Sequence, residues 1–142
     1  MDERIFCIID ANVNRFREAM RVCEEITRFV LSDEVNTRCI KALRHRLAKG
    51  IKILDKGQRS IVEYRRPAED VGRRTIKSET KRSNASDIFN ANIKRAQESA
   101  RVLEEFSKLF SVRAANTFKD MRFECYELEK KIVKRLRPVR NH

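Results

Sequence analysis

Four arginines stand where a helical projection calls for apolar side chains. At about 100° per residue, Ile8, Ala11, Ala19, Val22, Ile26 and Phe29 form one apolar arc with Arg15 inside it, bordered by Glu18 and Glu25. Ile88, Ala91, Val102, Phe106 and Leu109 likewise enclose Arg95, with Glu98 and Glu105 at the edge. Arg44 sits among Ile40, Leu43, Leu47 and Ile51, and Arg122 among Phe118, Met121, Cys125 and Ile132. On this projection each of four helices aims one guanidinium at a common interior. Desolvating even one charge costs several kcal/mol unless it is paired, so four arginines must find anions. Two accounts meet that demand. One is an internal network with Glu18, Glu25, Glu98 and Glu105. The other is a polar cavity whose guanidinium forks hold phosphate oxygens, their best geometric match.

Other side chains could join such a cavity. Asn12 and Asn92 fall in the first turn of their projected helices, as caps or as donors to a ligand. Lys41 and Lys119 flank Arg44 and Arg122, and could reach a phosphate or extend to water. Arg21 and Arg101 fall on the polar side and read as surface partners of neighbouring glutamates. Asp70, beside Gly72, reads as a magnesium carboxylate or a turn former. Neither G-x-x-x-x-G-K-[ST] nor G-x-G-x-x-G occurs, so any nucleotide is bound without the familiar glycine cradles.

The elements that must position these residues come as a repeat. Ala11–Phe29 and Ala91–Leu109 align without a gap, with eight of nineteen positions identical, six of them polar or charged. A duplicated scaffold needs only its packing positions to match; matching polar positions imply the same polar groups presented twice. Ile40-Lys41-Ala42-Leu43-Arg44 pairs more weakly with Phe118-Lys119-Asp120-Met121-Arg122. The unit is therefore a helical hairpin, and looking for such periods first settles the architecture. A first helix is expected from about residue 10 to 31, and Ser32-Asp33-Glu34 breaks it and caps a second. That one runs from about 33 towards 61, interrupted at Gly50 or Gly57. Ser83 or Ser86 caps a third reaching about Phe110, and a fourth runs from about 112 to 136, stopped by Pro138. Residues 64–83 lack apolar periodicity and are punctuated by Pro67 and Gly72, which marks a long loop, and long loops in compact domains are functional or disordered. The expectation is one all-α domain over residues 1–142: an up-down bundle of two pseudo-twofold hairpins, about 8–61 and 86–137. The loop between them, rich in Arg, Glu and Asp, favours the cavity over the internal network.

Composition narrows the function classes. Among 142 residues, 33 basic against 21 acidic give a net charge of +12, which attracts nucleic acid, acidic headgroups or phosphorylated small molecules. Nucleic acid is disfavoured, because the basic residues form no single tract and only two Tyr and no Trp are present for stacking. No stretch approaches the ~20 apolar residues of a membrane span, and the N-terminus does not read as a signal peptide. Cys7, Cys23, Cys39 and Cys125 are scattered, as small buried residues in a reducing cytoplasm would be. With only His45 and His142, a histidine metal site or relay is not expected.

The conjunction of motifs resembles a known family. Its residues are Asp10-Ala11-Asn12-x-Asn14-Arg15-x-x-Glu18-x-x-Arg21-Val22-x-Glu24, Lys41-x-x-Arg44-His45, Asp70-Val71-Gly72, Ala91-Asn92-x-x-Arg95-Ala96-Gln97-Glu98-x-x-Arg101-Val102-Leu103-Glu104-Glu105 and Lys119-x-x-Arg122-Phe123. They look like the helical family of thiamine biosynthesis that is often fused ahead of a thiamine phosphate synthase barrel and carries that enzyme's name. The family is understood as an alternative hydroxymethylpyrimidine phosphate kinase, unrelated to the ribokinase-like enzyme of the same step. A barrel does not fit in 142 residues, so the synthase step itself is not expected here.

The resemblance implies ATP-dependent phosphorylation of 4-amino-5-hydroxymethyl-2-methylpyrimidine phosphate to its diphosphate, with Mg2+. Arg15, Arg95 and Lys41 would act on the transferred group, while Asn12, Arg44, Asn92, Lys119 and Arg122 would bind phosphate. Glu18 and Glu98 would orient the arginines, and the two halves would each take one phosphorylated ligand. One departure stands out: Arg65-Arg66 occupies the place of an Arg-Asp pair, so any magnesium carboxylate must be Asp70 or Glu69. Two rivals remain, a non-catalytic module docking on thiamine phosphate synthase and a basic nucleic-acid-binding bundle. A homodimer is also compatible with the sequence.

Overall fold

The computed structural model describes residues 2–55, 65, 67–73 and 81–140. Four long helices dominate: α1 (Glu3–Glu25), α2 (Glu34–Asp55), α3 (Ala85–Ser107) and α4 (Val112–Arg140). No strand occurs among the described residues. The chain is an all-α bundle.

Each helix starts on a side-chain cap that satisfies otherwise orphaned backbone donors. Asp2 accepts from the Arg4 N–H at 2.9 Å, and Asn84 from that of Asp87 at 2.9 Å. Asp33 accepts from Asn36 at 3.0 Å, and Ser111 from Ala114 at 3.1 Å. The expected break at Ser32-Asp33-Glu34 is present: Ser32 takes a left-handed φ of 49° and Asp33 caps α2. The third cap is Asn84, next to the expected Ser83.

The hairpins are antiparallel. The Thr27 and Thr37 hydroxyls meet at 2.8 Å across the first turn, and Gln97 Nε2 donates to Glu129 Oε1 at 2.9 Å across the second hairpin. Between hairpins, α3 packs broadly on α1 as well as α4, and α2 packs on α4. Arg135 of α4 clamps the first turn through Asp33 Oδ2 at 3.0 Å, while Arg46 of α2 pairs with Glu124 of α4. Phe16, Phe89, Phe118, Met20, Ile93, Leu103 and Met121 are fully buried between the four helices. Gly50 continues α2 without interruption; a Cβ there would lie 2.8 Å from the Phe118 ring, so its lack of a side chain lets α2 approach α4.

Several boundaries and faces differ from expectation. α1 begins at Glu3, because the Asp2 cap precedes its apolar residues Phe6 and Ile9. Its last turn, Ile26–Val30, is π-helical. α4 runs past Pro138 to Arg140. Gly57 and the end expected at residue 61 lie outside the described residues, as do residues 64, 66 and 74–80 of the expected 64–83 loop. Cys39 is exposed, whereas Cys23 and Cys125 are buried and burial pushes both thiols up to about 12, leaving them inert at neutral pH.

The larger correction concerns the apolar arcs of α1 and α3. Their core faces are Phe6, Ile9, Val13, Phe16 and Met20 on α1, and Phe89, Ile93, Ala96, Ala100 and Leu103 on α3. Phe29 and Leu109, placed inside by the projection, are 65% and 64% exposed. Ile8, Ala11 and Val22 are only half-buried, forming a second stripe beside the core. Arg15 and Arg95 belong to that second stripe and are exposed, not interior.

Candidate functional site

The exposed stripe of α1 forms one wall of a cleft of about 820 Å³. Ile8, Ala11, Asn12, Arg15 and Glu18 come from α1, Val102 from α3, and Arg65, Glu69, Asp70 and Val71 from the connecting segment. A second cleft of about 400 Å³ adjoins it between α1 and α3, lined by Arg82, Asn92, Lys94, Arg95 and Glu98. Asn12, Arg15 and Val102 line both. The two recesses are therefore one compound site with a shared border.

The connecting segment is fixed to α1 by charge. Arg65 Nε and an Nη each donate to the carboxylate of Asp10 at 2.8 Å, a bidentate pair. The hydrogen bond to buried Asp10 raises the Arg65 pKa above its ordinary value. A 3₁₀ turn, Pro67–Glu69, follows, and Asp70 Oδ1 accepts the Gly72 N–H at 2.8 Å. Asp70 is thus a turn former that also lines the cleft.

Asn12 and Asn92 are not caps, because both helices begin well before them. Each instead donates its Nδ2 to the carbonyl four residues earlier, Ile8 and Ile88, at 2.8 Å. Arg15 donates to Asn12 Oδ1 at 3.4 Å. Neither Arg15 nor Arg95 forms an ion pair among the described residues. Among the described residues, the smaller cleft carries Arg15, Arg82, Lys94 and Arg95 against the single carboxylate of Glu98. A surplus of unneutralised guanidinium in a concave site is an anion site.

The other predicted residues are placed elsewhere. Arg44 and Arg122 are half-buried and paired: Arg44 with Glu24 at 2.6 Å, Arg122 with Glu104 at 2.9 Å. Arg21 and Arg101 complete each group, at 3.3 Å and 3.5 Å from the same two glutamates. An internal Arg–Glu network does exist, centred on Glu24 and Glu104; of the four glutamates expected in it, Glu105 joins through Arg101 at 3.0 Å. Glu18 and Glu98 line the clefts and form no hydrogen bond or ion pair with Arg15 or Arg95 among the described residues. Lys41 lies in a separate recess at the α1–α2 turn with Arg28 and Arg38. Lys119 is exposed and lines none of these clefts. The four-arginine cage therefore resolves into two arginines held in ion pairs, Arg44 and Arg122, and two, Arg15 and Arg95, that form none among the described residues.

The profile of the ThiD2 family matches residues 7–131, a span that holds both clefts and all but the last turns of the second repeat half. The chain belongs to the ThiD2 family. It is 34% identical over 128 residues to a thiamine-phosphate synthase of Prochlorococcus marinus (strain AS9601), covering 90% of this chain and 35% of that protein. A thiamine-phosphate synthase of Nostoc punctiforme is 33% identical over 129 residues, 91% of this chain and 35% of its own length. One from Rhodopirellula baltica is 35% identical over 131 residues, covering 89% and 34%. This ThiD2 chain thus spans about a third of the length of these relatives. No solved structure matches it.

No helix among the described residues of this ThiD2 chain is long and apolar enough to cross a membrane. Nor do three or more His, Cys, Asp or Glu side chains among them gather into a metal cage. The carboxylates of Glu69 and Asp70 on the wall of the larger cleft nevertheless fit magnesium. That ion is commonly held by one or two carboxylates, water and substrate phosphates. Asp10 and Arg65 were not foreseen as site residues. Their signal, an acidic residue opening the first motif and an arginine at the loop's start, lacks any periodicity.

Proposed function

We propose that this ThiD2 chain acts in thiamine biosynthesis, transferring the terminal phosphoryl group of ATP to 4-amino-5-hydroxymethyl-2-methylpyrimidine phosphate. The observation that carries this is the shared border of the two clefts, where Arg15 and, beside it, Arg95 present guanidinium groups that form no ion pair among the described residues. The basic compartment suits phosphates. The larger one, mixing Ile8, Ala11 and Val71 with carboxylates, suits an aminopyrimidine ring with its amine donor. The relatives are named thiamine-phosphate synthases, which supports a role in thiamine biosynthesis, and the sequence resemblance points to the kinase.

The chemistry asks little of an acid or base. An oxygen of the acceptor phosphate, already ionised, bonds to the terminal phosphorus as the bond to the leaving ADP oxygen breaks, and no proton need move. Catalysis rests on positioning and on neutralising charge spread over the equatorial oxygens. Arg15 spans both compartments and orients the two phosphates; Arg95, Arg82 and Lys94 offset their repulsion; the segment anchored by Arg65 walls out water. Glu69 and Asp70 would hold magnesium, which supplies further neutralisation of the triphosphate. Action in the cytoplasm follows from such substrates.

The test is direct: purified chain, Mg-ATP and the pyrimidine phosphate, with ADP and pyrimidine diphosphate as readout. Arg95→Ala should fold normally, being exposed, and lose about a hundredfold in turnover, as removal of one preorganised charge donor does elsewhere. Full turnover and affinity in Arg95→Ala would overturn the assignment. A second reading, a non-catalytic module docked on thiamine phosphate synthase, is favoured by the relatives being about three times longer. It predicts that folded wild-type chain makes no diphosphate and is not stabilised thermally by either substrate.

A further inference from the structure

A third recess, of about 520 Å³, lies on the outer face of α3 and α4. It shares Lys94 and Glu98 with the smaller cleft, so the three recesses form one continuous band across α1, α3 and α4. Its far end is lined by Arg101, Arg122 and Tyr126. Tyr126 is 39% exposed and its neighbour Phe123 51% exposed, their rings meeting edge to face at 5.6 Å. Arg122 braces both: it donates to the Tyr126 hydroxyl at 3.2 Å and lies 4.9 Å from the Phe123 ring centroid. Tyr126 is the one aromatic residue lining any of these three recesses among the described residues.

The repeat makes this end of the band distinctive. At the offsets that align the halves, Tyr126 corresponds to Ala48, Phe123 to His45 and Lys94 to Asn14, whereas Arg101 and Arg122 keep their counterparts Arg21 and Arg44. The structural ion pairs are thus duplicated, and the exposed aromatics and the lysine belong to the second half alone. Packing does not call for two half-exposed aromatic rings side by side. An aromatic face braced by a guanidinium beside a row of cations stacks a heterocycle and holds its phosphates. Lys94 and Arg101 are two turns apart on α3, about 10 Å along its axis. Lys94 is only loosely engaged, 3.5 Å from Glu129, and Arg95 follows it at the smaller cleft.

We propose that the purine nucleoside triphosphate binds along this band, its base on Tyr126 and its phosphates running past Lys94 to Arg95 and Arg15. The phosphorylated pyrimidine then occupies the larger cleft under the Arg65-anchored segment. This rests on the kinase reading above and assigns the nucleotide to the second half of the repeat.

The experiment is calorimetry on the full chain with three probes: adenylyl imidodiphosphate with magnesium, inorganic tripolyphosphate, and the pyrimidine phosphate. Tyr126→Ala should weaken the adenylyl compound roughly tenfold or more. It should leave tripolyphosphate and pyrimidine phosphate affinities unchanged, and Tyr126→Phe should retain nucleotide binding. Unchanged nucleotide affinity in Tyr126→Ala overturns the placement while the kinase reading stands, provided the wild type makes diphosphate. Equal weakening of all three probes overturns it too, because that marks a structural role. If the wild type binds neither the nucleotide analogue nor the pyrimidine phosphate, both readings fall together.

Discussion

Arg65 closes two 2.8 Å hydrogen bonds onto Asp10, residues 55 positions apart, and so ties the connecting segment to the wall of the larger cleft. The two partners are unequal. The Asp10 side chain is 6% exposed and that of Arg65 43%. Removing the arginine strands a carboxylate inside, whereas neutralising the carboxylate leaves an arginine free to turn to water.

Arg65→Ala should therefore destabilise more than Asp10→Asn, by about 1–2 kcal/mol against less than ~1 kcal/mol, with partial solvent access moderating both. The double variant should recover most of the difference. Urea unfolding of the three proteins reads this. If Asp10→Asn costs as much as Arg65→Ala, the stranded-charge account is wrong.

Glu24 and Glu104 should each prove far more sensitive than the glutamates beside them. Glu24 is 1% exposed and held by Arg44 and Arg21; Glu104 is 5% exposed and held by Arg122 and Arg101. Alanine at either leaves a half-buried guanidinium without its carboxylate, at a cost of about 3 kcal/mol. Glu18→Ala and Glu25→Ala, at exposed positions, should stay within about 0.5 kcal/mol. Denaturant midpoints of the four variants separate the structural carboxylates from the rest.

That contrast also marks where the sequence was legible. Scarcity of Gly and Pro, together with polar residues ahead of α2 and α3, made the helices visible, and the repeat suggested hairpins; the caps at Asp2, Asn84 and Ser111 were not singled out. Faces were harder. On α2 and α4 one apolar stripe dominates, so Leu43 and Met121 were placed correctly. On α1 and α3 a second stripe of Ile8, Ala11 and Val22 competes with Phe6, Ile9 and Phe16, and choosing it turned Arg15 inward. The doublets Glu24-Glu25 and Glu104-Glu105 posed the same problem one residue at a time, since neighbours on a helix point about 100° apart. The Asp10–Arg65 pair joins a helix to an aperiodic segment, so only the folded chain reveals it.

Asp33 supplies a pH-dependent share of stability. Burial works against its charge, but the Asn36 backbone and side-chain N–H groups and Arg135 outweigh that and lower its pKa. A carboxyl lowered in the folded state stabilises fully above its unfolded value, and the contribution fades as pH falls through the folded value. Asp33→Asn keeps a capping oxygen and loses the charge. It should cost about 1 kcal/mol at pH 7, and the gap to wild type should close towards pH 3. Urea unfolding at the two pH values checks this; a gap of constant size would remove the charge from the account.

Thr27 and Ser107 test what the second half of the repeat has given up. In the first hairpin the Thr27 hydroxyl meets that of Thr37 at 2.8 Å and also reaches the Glu24 carbonyl at 3.0 Å. At the corresponding places of the second hairpin stand Ser107 and Ala115, and the buried Ser107 Oγ has no hydrogen-bond partner among the described residues. A buried hydroxyl that bonds nothing costs its desolvation and returns nothing. Ser107→Ala should accordingly be neutral or stabilising by up to about 1 kcal/mol, while Thr27→Ala should cost about 1–2 kcal/mol. Melting temperatures should move in opposite directions or stay level for Ser107→Ala. A clear loss there would mean that the serine hydroxyl holds a bond in solution, the second hairpin having replaced the threonine pair instead of discarding it.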